Sequence, residues 1–179
     1  MALNYNYIPD KINNFNVYQG SVTADSRLMG VTNEVTLPTW TLKSETLALA
    51  GFAGDLDSPT EGQLESATIE ITFSNISKQA LALLEKDTEP IIMRSAQEFI
   101  DKETGTKVMV GRAITVKGMT KAVNFGTLTT GGFGNPSITK EITYYKDVID
   151  DETVTEIDKI NYKYVINGVD KGARISDLI

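Results

Sequence analysis

Apolar and polar positions follow two different periods along this chain, and the switches between them mark its elements. In residues 67–73, ATIEITF, Ile69, Ile71 and Phe73 face one way while Thr68, Glu70 and Thr72 face the other, as in a half-buried strand. From Ile76 to Lys86 the period lengthens. Ile76, Ala80, Leu81 and Leu84 share one helical face, Ser77 can cap the N-terminus, and Lys86 suits the C-terminal end of the dipole. The spacing predicts no other long helix. Strand patterning resumes over Glu89–Asp101 and, after a turn at Glu103-Thr104-Gly105, over Thr106–Val123. There Val108, Val110, Ile114 and Val116 share a face, and Gly118 breaks the alternation as at a bulge. Ile138–Ile149 and Val154–Ile166 flank Asp150-Asp151-Glu152 as the two arms of a hairpin. In the second arm Ile160, Tyr162, Tyr164 and Ile166 alternate with Asn161 and Lys163. Asn167-Gly168 marks a further turn before a short helical tail.

Other stretches read differently. Residues 1–20 are rich in Asn and Tyr, show no period, and read as an irregular arm. Val31–Leu42 is a strand region interrupted by Pro38, which belongs at an edge or corner. Residues 43–62 form a long connection that is apolar as well as glycine-rich. Its Leu47, Leu49, Phe52 and Leu56 are unusual for a solvated loop, so the connection is expected to pack against something. Residues 127–137 are a glycine-rich connection. The pattern predicts a mainly β fold: an antiparallel β-sandwich or open barrel of roughly six to eight strands, with one packed α-helix, long hairpins and extended arms. At 179 residues the chain fits a single domain over 1–179.

Composition narrows the function classes. The formal net charge of -7 supplies no basic field for holding nucleic acid by its phosphates. There is no Cys and no His, which removes disulfides, most metal sites and the common nucleophile–base systems. The polar start MALNYNYIPD carries no signal-peptide core, so the chain is expected to be made in a cytoplasm. The remaining candidates for chemistry each have a structural alternative. Asp147, Asp150, Asp151 and Glu152 offer oxygens to a hard cation but fit a solvated hairpin tip better. Gly131, Gly132 and Gly134 precede a strand, not the helix N-terminus that a phosphate loop needs. Trp40, Tyr144, Tyr145, Tyr162 and Tyr164 can line a sugar site or pack a sheet. A carboxylate pair such as Glu70 with Glu156 has no sequence reason to sit at catalytic separation. No catalysis, metal or cofactor is expected. A carbohydrate-binding β-sandwich and a carboxylate hydrolase stay open as alternatives to an assembly protein.

Several segments together resemble the major tail tube proteins of contractile-tailed phages and R-type bacteriocin particles. They are LPTWTLKSETLALAG at 37–51, ALALLEKD at 80–87, GRAITVKG at 111–118 and KEITYYKDVIDDETVTEIDKINYKYVINGVD from Lys140 to Asp170. The set runs in order over nearly the whole chain, although 127–137 and the N-terminal arm have no counterpart in it. The resemblance implies a structural subunit, not an enzyme, that forms hexameric rings stacked into a hollow tube. Strands of six subunits would join into an inner barrel, the 43–62 segment would reach a neighbour, and the terminal arms would tie rings together. Implied partners are further copies of the chain, a tail sheath protein, and baseplate and terminator proteins. DNA or small ions would be passing cargo, and the target membrane would be met only by the assembled particle. The implied location is a virion tail or phage-tail-like particle assembled in the bacterial host cytoplasm. Glu70, Glu98, Glu141, Glu156 and Asp158 are candidates to line the lumen, where negative charge would keep DNA from sticking. Alternation alone does not place them, because a one-residue slip exchanges the two faces of a strand.

Overall fold

The computed structural model describes residues 6–176 and Leu178. Strand β7 (Ser137–Ile149) organises the fold because three strands pair with it. Along one side runs β6 (Lys107–Asn124). The other side is shared by β4 (Thr68–Thr72), against residues 137–141, and β8 (Glu152–Asp158), against residues 144–149. Beyond β6 the sheet continues through β5 (Ile91–Asp101) to β1 (Tyr7–Gln19). Beyond β8 it continues through β9 (Lys163–Ile166) to β10 (Val169–Asp170). These eight strands form one open antiparallel sheet, and β2 (Leu42–Leu47) with β3 (Leu56–Leu64) forms a separate two-stranded hairpin. The helices are α1 (Lys78–Glu85) and the short α2 (Ala173–Ser176). The fold is thus mainly antiparallel β with one packed helix, as the periodicity predicts, and its sheets do not close.

The core lies on one face of the large sheet. Paired residues of an antiparallel ladder point to the same side. Ile91, Val116, Tyr145 and Ile157 therefore form one buried row across β5, β6, β7 and β8. Ile69, Ile71 and Phe73, read as one face of a strand, are each 1% exposed. Ala80 and Leu83 of α1 press on this surface, and Leu28, Val31, Val35, Leu37 and Trp40 cover the rest. Ser77 caps α1 by accepting from the Ala80 N–H at 3.1 Å. Gly118 stands at a register shift, and a Cβ there would lie 2.1 Å from the Glu141 carbonyl oxygen. The bulge the sequence signals there is required by this close backbone approach.

Four readings are corrected. The irregular arm at 1–20 is, over Tyr7–Gln19, a thirteen-residue strand; residues 1–5 lie outside those described. Two register shifts between Pro9 and Asn14 hid its period. Val31–Leu42 is largely not a strand: Val31 makes one bridge to Phe73 and regular pairing starts at Leu42. It serves instead as an apolar cover, which needs buried side chains and not a ladder. The 43–62 connection is the β2–β3 hairpin. Val154–Ile166 is two strands, because Asp158 accepts from the Ile160 and Asn161 N–H groups, both at 3.0 Å, and turns the chain. Ile160 and Tyr162 lie in that turn and do not continue the alternation.

Candidate assembly surfaces

Three features of the surface are open to a partner. The first is the edge of the sheet. The outer side of β1 is covered at its C-terminal end, where the Leu28 N–H donates to the Val17 carbonyl at 2.8 Å and the Gln19 N–H to the Ser26 carbonyl at 2.9 Å. On its other side β1 pairs with β5, so from Ile8 to Asn14 the outer side presents an open row of backbone groups. Every residue from Ile8 to Asn14 is exposed, with Ile8 at 46% and Ile12 at 56%. A long edge carrying exposed apolar residues is either an aggregation hazard or a pairing surface.

The second is the β2–β3 hairpin. All residues from Lys43 to Asp57 are exposed, so neither face of the hairpin rests on the sheet. Leu47, Leu49, Phe52 and Leu56 are 36, 55, 50 and 54% exposed. The structure thus brings these four predicted residues together at one apolar tip. An isolated two-stranded hairpin is marginal in water, and burial against another surface is what would stabilise it. Its base is closed by the Glu65 N–H donating to the Thr41 carbonyl at 2.9 Å and tied to the body by Gln63 Nε2 donating to the Tyr162 hydroxyl at 2.7 Å. Residues 42–64 contain Glu45, Asp55, Asp57 and Glu61 against Lys43, a net charge of 1 − 4 = −3.

The third is the face of the large sheet opposite the core. By register, all five candidate acids lie on this face. Glu156 pairs with Lys146, Asp158 with Tyr144, Glu141 with Thr68, Glu70 with Thr139 and Glu98 with Met109, each a position whose neighbours along the strand face the core. The face is not a uniform negative wall. Glu98 accepts from Lys107 Nζ at 2.6 Å and Asn13 Nδ2 at 2.6 Å, and these contacts hold its carboxyl below the usual glutamate value. Glu141 is lowered by its Ser66 hydrogen bond and then by Lys121, with Lys159 also near. Glu156 is lowered by Lys163 at 2.7 Å, and it accepts from the Tyr144 hydroxyl at 3.0 Å. Burial together with that acid pushes Tyr144 up to about 12. Burial raises Asp158, but the Asn161 side-chain and backbone hydrogen bonds outweigh it and leave the carboxyl lowered. Glu70 alone of the five is exposed with no ionic partner among the described residues.

The residues weighed for chemistry are dispersed. Asp147 is 6% exposed on the core side and takes a two-pronged contact from Arg112, with Nε at 2.9 Å, so it is not part of a hairpin tip. Asp150 and Asp151 supply that tip, with φ of 51° and 64°. Among the described residues no three acids converge as metal ligands. Trp40 meets Tyr145 edge-on at 5.5 Å on the core side, Tyr144 points to the opposite face, and Tyr162 sits in a turn. A concavity between β1 and residues 27–37 contains one acid, Glu34, where a carboxylate hydrolase needs two. Sequence reasoning missed the β1 edge, whose only legible signal was the alternation of Phe15, Val17 and Gln19 near its end.

Comparison with known proteins identifies the family. The family model described as phage tail tube protein FII matches residues 9–178. The tail tube protein of Escherichia phage P2 is 27% identical over 170 residues, covering 92% of this chain and 93% of that one. A chain of the anti-feeding prophage baseplate, solved by cryo-electron microscopy, aligns over 83% of this chain and 95% of its own, at 13% identity and a TM-score of 0.41. A match along almost the whole length places the chain in the phage tail tube protein FII family, whose members are structural proteins of the virion tail and not enzymes.

Proposed function

We propose that this tail tube protein polymerises as hexameric rings stacked into a hollow conduit, surrounded by a sheath and driven through the target envelope when the sheath contracts. The observation that carries the reading is the open stretch of the β1 edge over Ile8–Asn14, with Ile8 and Ile12 exposed, in a sheet whose far side ends in the two-residue β10. Pairing the open stretch of β1 with the next copy is a heterologous contact, and repetition around an axis leaves no copy with that stretch uncovered once the ring closes. The apolar hairpin supplies the link between rings. The mixed-charge face would then line the lumen, offering DNA neither a basic trap nor an unbroken acidic wall. Sheath, baseplate and terminator proteins complete the particle, which assembles in the host cytoplasm.

Negative-stain electron microscopy of the purified protein across a concentration series tests this. Rings of six with a central hole, or stacked tubes, are expected. Particles of monomer size at every concentration would sink the self-assembly reading.

A further inference from the structure

A second apolar surface lies on the connection between β6 and β7. Phe125, Leu128 and Phe133 there are 68, 105 and 74% exposed. The connection has a defined shape. The Thr127 N–H donates to the Gly134 carbonyl at 2.8 Å, and a Cβ on Gly126, at φ +76°, would lie 2.1 Å from the same oxygen. Three large apolar side chains held outward on a shaped loop cost hydration free energy unless something covers them.

The position and charge of this loop point to what covers it. It is fixed to the C-terminal end of β4, where the Phe73 N–H donates to the Pro136 carbonyl at 2.8 Å and the Gly134 N–H donates to the Ser74 carbonyl at 3.0 Å. The β2–β3 hairpin is rooted at the other end of the same strand, where the Ile142 N–H donates to the Ala67 carbonyl at 2.9 Å. The two exposed apolar features therefore stem from opposite ends of one strand pair. They also match in charge: residues 122–139 and residues 46–54 contain no charged side chain, in a chain where 23% of residues are charged. A lipid surface would favour basic residues around the patch, yet the flanking lysines, Lys121 and Lys140, are paired with Glu141 and Asp87.

We infer that Phe125, Leu128 and Phe133 are the seat for the β2–β3 hairpin tip of a second copy, so that copies join head to tail along the tube axis. The inference rests on the tube reading and adds the partner surface to it. Such a contact uses two different patches and does not close on itself, which is what axial growth requires.

The absence of cysteine makes the test direct. Leu49→Cys and Leu128→Cys variants are mixed, assembled, pelleted and treated with a short bis-maleimide. Covalent dimer is expected in the pellet of the mixture and not with either variant alone. Leu128→Asp, a change at a fully exposed site, is expected to keep the wild-type circular dichroism spectrum and lose the pellet. A mixture that pellets without cross-linking, or a Leu128→Asp chain that pellets like wild type, overturns the contact and leaves the tube reading standing. A wild-type chain that never pellets overturns both.

Discussion

Lys140 is the residue at which composition and position conflict most. It sits between Ile138 and Ile142 on the core side of β7 and is 3% exposed. Its ammonium meets Asp87 Oδ1 at 2.5 Å, just past the end of α1. Asp87 also accepts from the Thr120 hydroxyl at 2.6 Å and the Thr120 N–H at 3.2 Å. These partners, Lys140 first, hold the Asp87 carboxyl below its ordinary value. Asp87→Asn leaves a buried cation without its counter-charge. A pair buried on both sides loses 3–5 kcal/mol on such a change, but Asp87 is 41% exposed and water reaches it, so a loss of roughly 1–3 kcal/mol is expected in urea unfolding. Lys140→Met removes the desolvated charge instead and should cost under about 1 kcal/mol or stabilise. The pH dependence has a definite sign. A lowered folded-state value contributes stability above the unfolded carboxylate value of 3.8, and that stability is lost as pH falls through the folded value. The gap between wild type and Asp87→Asn should therefore be full at neutral pH and close below about 3.8. A gap that persists unchanged in acid would mean that the pair is not its source.

At the scale of elements, legibility followed the strength of the local period. The strands β4, β5, β6 and β7 and the helix α1 emerged within a few residues of their ends, because each buries one face and leaves the other wet. The β2–β3 hairpin read as a loop for a physical reason. With all of Lys43–Asp57 exposed, no face is buried in the single chain, so no alternation records a core. Its apolar side chains were nonetheless legible as a surface in need of cover, because Leu47, Leu49, Phe52 and Leu56 are costly to leave in water. Replacing Leu47 and Leu49 with Asp should leave thermal unfolding of the subunit close to wild type, since both side chains are exposed there. The same double substitution should abolish sedimenting polymer, because it carries unpaired charge into a dry contact. Amide exchange at 43–57 should be fast in the subunit and slow in the polymer. Polymer formed normally by the double variant would remove the hairpin from the assembly contacts.

At the scale of the whole molecule the question is which force limits assembly, and the sign of the salt effect answers it. The net charge is -7, of which residues 42–64 carry −3, so copies that approach through the hairpin repel one another. The opposite-face acids offer little to a neighbour in return, because Glu98, Glu141 and Glu156 already pair with Lys107, Lys121 and Lys163 of their own chain. The proposed contact patches are uncharged, and β-edge pairing uses backbone groups, so neither favourable contact depends on ionic strength to first order. Raising salt from about 10 mM to about 150 mM shortens the screening length from ~30 Å to ~8 Å and so weakens the repulsion while sparing the attraction. The concentration at which polymer first pellets should therefore fall as sodium chloride rises over this range. If it climbs instead, ion pairs between subunits dominate, and the internal pairs of the sheet face must open and re-form across the interface when the tube is built.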